Sequence, residues 1–596
     1  MTPTIDLLKQ RVAAAVAQAC DLVPADIDPM VRRVQDEKFG DYQSNCAMGL
    51  AKRLGVKPRE IAQRIVDQLN VEPICEAPEI AGPGFINLRL APAFVASQLS
   101  AVPPVISGQA DRMGLTPDGN PTVVAVDLSS PNLAKEMHVG HLRSTVIGDC
   151  IARVLEFRGH TVHRINHVGD WGTQFGMLLA HLVGHKPDVL EHAGDLALGD
   201  LEQFYIEAKA LYDVDAEFAA EARRNVVRLQ SQEPAMLAVW RAFCDESRRH
   251  CQAIFHRLDV QLEDRGESFY REMLGPLVAE LEQKGIAAES EGALCIFLDG
   301  FKSREGTPLP MIIRKSDGGY NYDTTDLAAI RHRIETLGAK RLIYVVGVAQ
   351  KQHFQMLFAA ARRIGWVGDN VSLIHVGFGN LLGSDGTPFK TSTGGNVKLK
   401  DLLDEAVARA HTVIEHHAAD QGKGRTFDRK TADDIAAAVG IGAIKYFDLS
   451  HSLGSDYKFH WDTMLAMEGN TAPYMLYAYA RIRSIGRKAG IDYADIPSDT
   501  PIVLEHQSER RLGKTLLRFG EIVEQVAEEL RPNVLTDYLY ELSKAFSQFY
   551  DRRIGVRVID AEPDSLRLSR LRLCDLTART LKLGLGLLGI KTVEQM

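Results

Sequence analysis

The feature that most restricts this chain is a short apolar run ended by an abrupt polar break. Residues 122–128 read TVVAVDL and residues 129–132 read SSPN. Apolar residues without alternation predict a strand covered on both faces, as in parallel sheets. Helical sequence follows from about His138, and a turn at Gly159 leads to a second candidate strand at residues 161–165, TVHRI. Strand, helix and strand with short connections predict a parallel α/β sheet. Residues 341–346 (RLIYVV) and 371–376 (VSLIHV) predict later strands of that sheet, and residues 293–298 and 311–314 further strands. A long, charged helical stretch interrupts over about residues 189–260.

At 596 residues the chain exceeds one core and suggests roughly three to five domains. Residues 1–110 mix helices and short strands, with Ile5, Leu8, Val12 and Val16 on one helical stripe and a strand near residues 86–90. Residues 103–121 hold Pro, Gly, Asp and Asn and predict a linker, whereas residues 402–596 read almost wholly as helix. A net charge of −9 excludes a uniformly basic nucleic-acid coat but leaves local basic patches open. The Ala/Val run near the N-terminus is short and preceded by Asp6, unlike a signal peptide, and no apolar stretch approaches the ~18 residues of a membrane span. Eight scattered cysteines form no C-x-x-C pair and predict no disulfide framework. Cys244, His250, Cys251 and His256 match no familiar zinc spacing, so no protein-bound zinc is expected. The chain reads as cytoplasmic, with no membrane partner.

Chemistry concentrates in residues 134–145, AKEMHVGHLRST. His138 and His141, three apart, share a helix face. That helix follows a buried strand and a polar loop, the place where parallel sheets hold phosphates on helix N-termini. Two imidazoles there can donate hydrogen bonds to a phosphate gaining charge in a transition state. Gly140 lets a flat ring such as adenine approach the backbone, and Lys135 adds a cation one turn upstream. Without the preceding strand and loop, two surface histidines would explain the pattern as well. Far downstream, residues 383–395 (GSDGTPFKTSTGG) form a glycine-rich loop around Lys390. Such a loop can close over a triphosphate, although alone it reads better as an exposed hairpin turn.

Together these stretches resemble class I aminoacyl-tRNA synthetases, and within that class the arginyl-tRNA synthetases. His138-Val-Gly-His141 is similar to the HIGH signature and the segment at Lys390 to the KMSKS loop. Residues 129–135 (SSPNLAK), 166–176 (NHVGDWGTQFG), 322–328 (YDTTDLA) and 470–481 (NTAPYMLYAYAR) resemble stretches particular to the arginine member. The resemblance runs from end to end. One departure is Thr393, where many class I enzymes carry a second lysine; the family commonly lacks it, and Lys135 is thought to compensate.

The resemblance implies a Rossmann-like catalytic domain at 120–400 with a helical insertion about 189–260. It also implies an α+β tRNA-elbow domain at 1–110, a helical connecting segment at 401–460 and an all-α anticodon-binding domain at 461–596. It implies a monomer that joins L-arginine to tRNA(Arg) with ATP and Mg²⁺. Catalysis would fall to His138, His141, Lys135 and Lys390. ATP would meet His138, Gly140, His141, Lys390 and Ser392. Arginine would meet Asp127, Ser129, Asn132, His141, Tyr322, Asp326 and Gln350. A guanidinium needs carboxylates in fork geometry, and Tyr322 and Asp326, four apart, face one way on a helix. Taken alone, Asp326 also fits a charge favoured near a helix N-terminus. For tRNA the candidates are Phe85 and Asn87 on one strand face, and Tyr474 and Tyr477. The last 56 residues carry 10 Lys+Arg against 7 Asp+Glu, suited to phosphates beside stacked bases. A small nucleotidyltransferase would leave the helical third idle, and a non-catalytic RNA-binding paralogue would be expected to lose His138, His141 or Lys390.

Overall fold

The run after residue 122 becomes strand β1 (Val123–Asp127), with residues 124–127 buried. It belongs to a computed structural model that describes residues 2–596 apart from 24–26, 107, 134, 186–200, 304, 384, 388, 390–396, 421–426 and 555. Residues 118–465 and 588–590 form one unit. In it β1 lies at the centre of a sheet with β2 (Thr161–Asn166), β3 (Glu263–Asp264), β4 (Arg341–Gly347) and β5 (Ser372–Phe378). The order is β5-β4-β1-β2-β3 and every pair is parallel. This is a doubly wound order whose direction reverses between β1 and β4, and ligands bind at the carboxyl ends of the strands at such a reversal.

Helix α1 (Val139–Phe157) connects β1 to β2 and is buried along most of its length. It can lie that close because residue 148 is glycine: an added Cβ would stand 2.4 Å from Leu128 Cβ. Helix α2 (Tyr322–Glu335) precedes β4 and α3 (Lys351–Ile364) follows it. Their buried faces, including Leu327, Ile330, Phe354 and Leu357, pack with Ala125, Ile165, Leu342 and Tyr344 of the strands. The further strands predicted near residues 293 and 311 do form, but not in this sheet. Ala288–Ser290, Ala293–Lys302 and Pro308–Arg314 make a separate antiparallel sheet, because short turns join them where a parallel pair needs a long crossover. In the predicted helical insertion, Leu201–Val214, Ala216–Gln230 and Pro234–Arg257 are helices; its first residues lie outside the description. Gly176 on the helix Thr173–His185 allows close packing there, since a Cβ would meet Ala222 O at 2.3 Å. Cys244 and Cys251 are buried on Pro234–Arg257, and His250 pairs with Glu246 at 2.9 Å.

Residues 1–117, 466–587 and 591–596 form the second unit. Its antiparallel sheet has the order Val31–Arg33, Tyr42–Ser44, Phe85–Leu88, Glu79–Ala81. The stripe predicted near the N-terminus is the buried face of Thr4–Cys20, with Leu8, Val12, Ala15 and Val16 inside. The late part is helical: Ala472–Lys488, Gln507–Leu517, Phe519–Glu529, Asn533–Phe549 and Asp564–Leu587. The first and last segments of the chain are thus one body. Tyr42 donates to Glu521 at 2.6 Å, Lys514 pairs with Asp41 at 2.8 Å, and Arg579 with Asp111 at 2.7 Å. Among the described residues no helix is long and apolar enough to cross a membrane.

Gly148→Ala forces its methyl group against Leu128, and overpacking of this kind costs about 1–3 kcal/mol. A thermal melt followed by tryptophan fluorescence is expected to show a lower midpoint than wild type.

Candidate active site

Past β1 the backbone turns through two consecutive left-handed residues, Ser129 (φ 69°) and Ser130 (φ 53°). Non-glycine residues seldom adopt this conformation, and it persists only where the surroundings enforce it. Here Ser129 N donates to Ser144 Oγ of α1 at 2.8 Å, and Ser144 Oγ donates to Val345 O of β4 at 2.6 Å. Ser130 N donates to Asn166 Oδ1 at the end of β2 (3.0 Å), and Ser130 Oγ donates to Asp127 Oδ1 (2.9 Å). The buried hydroxyl of Ser129 has no hydrogen-bond partner among the described residues. Further on, Leu133 N donates to Gly169 O and Gly169 N to Pro131 O, each at 3.0 Å. A Cβ at Gly169 would come within 2.0 Å of Asn132 Oδ1, so a larger residue there would displace the Asn132 side chain. The stretches 129–135 and 166–176, separate in sequence, therefore interlock, with exposed Asn132 at their junction.

Asp127, the last residue of β1, is 5% exposed. Its Oδ2 is held by the chain's own buried Arg333 at 2.6 Å and its Oδ1 by Ser130. The carboxylate is committed inside the protein, because a buried charge at a strand end needs a buried counter-charge.

The two histidines meet as predicted, and the structure fixes their proton positions. His138 is the capping residue of α1, and its Nδ1 accepts from Gly140 N at 3.0 Å. His141 Nδ1 accepts from His138 N at 3.1 Å. A neutral imidazole that accepts at Nδ1 carries its proton on Nε2. The ring centroids are 4.1 Å apart. Burial, then the neighbouring His138 ring and Lys135, push the His141 pKa down to about 3, so the ring is a neutral donor throughout the physiological range. Gly140 has a second reason to lack a side chain: a Cβ would lie 2.7 Å from His138 Cε1. Lys135 is exposed and lies over the Tyr205 ring at 4.6 Å.

On the other side of the sheet reversal, α2 opens with Tyr322 and presents Asp323 and Asp326. Tyr322 is 60% exposed. Asp326 Oδ2 lies 2.7 Å from His353 Nε2, and Asp323 Oδ1 lies 3.2 Å from His353 Nδ1. Tyr322 meets the same imidazole edge-on at 5.2 Å, so Tyr322 and Asp326 do face one way. Burial alone would lower the His353 pKa, but the bonds to Asp323 and Asp326 outweigh it and raise the value to about 9. His167 Nε2 stands 3.7 Å from Asp326 Oδ1. Glu267 is raised to about 8 by burial and by the charges of Asp170 and Asp326. Gln350 is exposed just past β4. Sequence reading missed His353, His167 and Glu267. His353 carried a usable signal, three residues after Gln350; Glu267 carried none.

Lys390 and Ser392 lie outside the described residues. The described chain on either side of them is tied to neighbouring elements. Before the loop, Leu381–Leu382 pairs in parallel with Tyr457–Lys458, and Arg143 of α1 donates to Gly379 O at 2.7 Å. After it, Val139 N donates to Val397 O (3.1 Å) and Leu399 N to Met137 O (2.9 Å). Both flanks thus join the helix that carries the histidines.

In the other unit, Tyr474 and Tyr477 are half-buried on Ala472–Lys488, while Tyr479 is buried and bonds Glu594. Phe85 is half-buried. Asn87 is 6% exposed and its amide oxygen accepts from Gln43 at 2.6 Å.

Comparison with known proteins agrees with this geometry. Residues 109–461 match the catalytic domain of tRNA synthetases class I (R), residues 475–596 the DALR anticodon binding domain, and residues 6–90 the arginyl tRNA synthetase N terminal domain. An arginine–tRNA ligase of a Nostoc species is 52% identical over 597 residues, covering 100% of both chains. The chain belongs to the arginyl-tRNA synthetase family. A second such ligase, from Nostoc punctiforme, is 50% identical over the same span. The crystal structure of the arginyl-tRNA synthetase of Plasmodium falciparum matches all of both chains with TM-score 0.85 at 33% identity. That of Thermus thermophilus covers 99% of this chain and all of its own, with TM-score 0.78 at 26% identity. As an arginyl-tRNA synthetase the chain has the class I fold: a parallel-sheet catalytic unit, an N-terminal α+β part and a helical DALR part.

For this synthetase, Gly140→Ala is expected to displace the His138 ring and slow adenylate formation roughly 10–100-fold, the loss that follows from misplacing an assembled group by about 1 Å. Arginine affinity measured by calorimetry should stay near wild type.

Proposed function

We propose that this chain, an arginine–tRNA ligase, joins its substrates in two steps at the reversal between β1 and β4. One observation carries the reading: two capped imidazoles with Nε2 protons stand at one end of a sheet reversal whose other wall is acidic. In the first step an oxygen of the arginine carboxylate attacks the α-phosphorus of ATP. The bond to the β-phosphate breaks, leaving arginyl-adenylate and pyrophosphate. ATP enters with its Mg²⁺ as substrate. His138 and His141 donate from Nε2 to the phosphate oxygens as charge builds there, and Lys135 with Lys390 and Ser392 of the loop offsets charge on the pyrophosphate. No proton has to move in this step, so neutral rings serve better than a general base would.

Ser129 and Asn132, on the strained turn, hold the amino-acid end. Tyr322, Asp326 and Gln350 receive the guanidinium. The unpartnered Ser129 hydroxyl supports the first assignment, and the shared face of Tyr322 and Asp326 the second. A planar fork of donors matches a carboxylate, whereas the lysine ammonium is a point charge and leaves acceptors unmet.

In the second step a hydroxyl of the 3′-terminal ribose of tRNA(Arg), the 2′-hydroxyl by class habit, attacks the adenylate carbonyl and AMP leaves. Tyr474 and Tyr477 offer faces for anticodon bases, and Phe85 an apolar contact at the tRNA elbow. The enzyme works as a monomer in the cytoplasm. Eight cysteines, all present as thiols, suit a reducing compartment.

His141→Ala is expected to lower turnover about 10²–10³-fold, the usual loss for one transition-state donor, with arginine binding retained. Pyrophosphate exchange in the presence of tRNA reads this. Asp326→Asn should raise the arginine KM by at least about tenfold, in line with a charge-assisted bond worth ~1.5–3 kcal/mol; a KM unchanged from wild type would remove Asp326 from the pocket. Exchange with lysine or glutamate but not arginine would overturn the substrate.

A further inference from the structure

We infer that His353, as an imidazolium, and the guanidinium of arginine compete for the same pair of carboxylates, so that arginine binding expels one proton. The inference rests on the assignment of Asp326 to the guanidinium.

The geometry comes first. Both ring nitrogens of His353 point at carboxylate oxygens, Nε2 at Asp326 Oδ2 (2.7 Å) and Nδ1 at Asp323 Oδ1 (3.2 Å). A carboxylate only accepts, so a ring donating at both nitrogens carries both protons and a full charge. That charge occupies the Asp326 oxygen a guanidinium needs. The ring is flanked by Tyr322 of α2 and by its own chain neighbour Phe354 on α3, each with its centroid 5.2 Å away. The lower-cost response to an incoming guanidinium is loss of the Nε2 proton to solvent. The neutral ring keeps its Nδ1–H for Asp323 while arginine takes Asp326. No other bond forms or breaks.

The surrounding groups favour this. From α2 come Asp323, Asp326 and the hydroxyl of Tyr322, and from the segment after β2 His167, 3.7 Å from Asp326. Asp170 and Glu267 add their fields through Asp326, with Glu267 pushed up to about 8. From α3 and β5 come Lys351 and His375, the latter donating from Nε2 to Val346 O at 2.9 Å. Tyr344 of β4 lies near Asp326 and holds its own proton, its pKa raised chiefly by burial. With two carboxylates bonded to it, His353 titrates near 9. The sign follows. Below that value the ring is charged and arginine must displace a proton, so arginine affinity rises with pH. The gain approaches tenfold per unit through neutrality and levels off near pH 9. Glu267 is the competing source, since a nearby cation would also ionise a carboxyl group that titrates near 8.

The test is isothermal titration of L-arginine into the full chain at pH 7.5, in phosphate and in Tris, whose ionisation heats differ widely. Wild type should show buffer-dependent heats corresponding to close to one released proton. His353→Gln should bind arginine with buffer-independent heats and a flat affinity between pH 6.5 and 8.5, while Glu267→Gln should keep most of the release. Wild-type heats that do not depend on buffer, or a release undiminished in His353→Gln, would overturn the inference and leave the arginine assignment standing. Failure of wild type to bind arginine at all would overturn both. Should His353→Gln not fold, Glu267→Gln decides: a release retained there supports His353, and a release abolished there overturns the inference.

Discussion

The buried ion pair of Asp127 and Arg333 sets what can be built at the carboxyl edge of the sheet. It ties the last residue of β1 to α2, which also packs on the sheet through apolar contacts. Arg333 is 1% exposed and its guanidinium also lies over the Tyr344 ring, 5.1 Å from the centroid. Removing either partner would strand a charge in the interior, at a cost of about 3–5 kcal/mol. With Asp127 held, its second oxygen fixes Ser130. Ser130 in turn accepts the left-handed backbone that carries Ser129 and Asn132 toward the histidines.

A second buried network supports the loop side of the site. Arg143 of α1 reaches Asp448 at 3.2 Å and lies over the rings of Phe378 and Tyr457, and Tyr457 donates to Asp448 at 2.7 Å. Through Gly379 and the Tyr457–Lys458 strand, this cluster positions the chain that leads into the glycine-rich loop. Helix α1 therefore carries the imidazoles at its first turn and anchors the loop's leading flank one residue pair later. A change at Arg143 would be felt at both places, which no inspection of surface residues would suggest.

Much of this was legible in the sequence, for identifiable reasons. A strand buried on both faces has few alternative partners, so TVVAVDL followed by a polar turn and a histidine pair located β1, α1 and the turn between them together. Periodicity likewise located the stripe of Thr4–Cys20. Sequence reading stopped where partners come from distant segments. No local pattern pairs Asp127 at the strand end with Arg333, 206 residues away. The alternation around Asn87 does not show that Gln43 of the adjacent strand bonds its amide oxygen. Glu267 belongs to a short turn with no pattern of its own, and only folding brings Asp170 and Asp326 near enough to raise its pKa.

The joining of the first and last segments has a consequence for biogenesis. Tyr42 and Glu521 bond across 479 residues, and Arg33 and Glu541 across 508. A ribosome adding about 5–20 residues per second makes the first partner of each pair some tens of seconds before the second exists. Throughout that interval the nascent N-terminal sheet presents Tyr42 and its charged rim without the helices that cover them. The synthesis of this enzyme therefore includes a long wait in which the N-terminal segment meets chaperones, proteases and neighbouring nascent chains before its own partners exist.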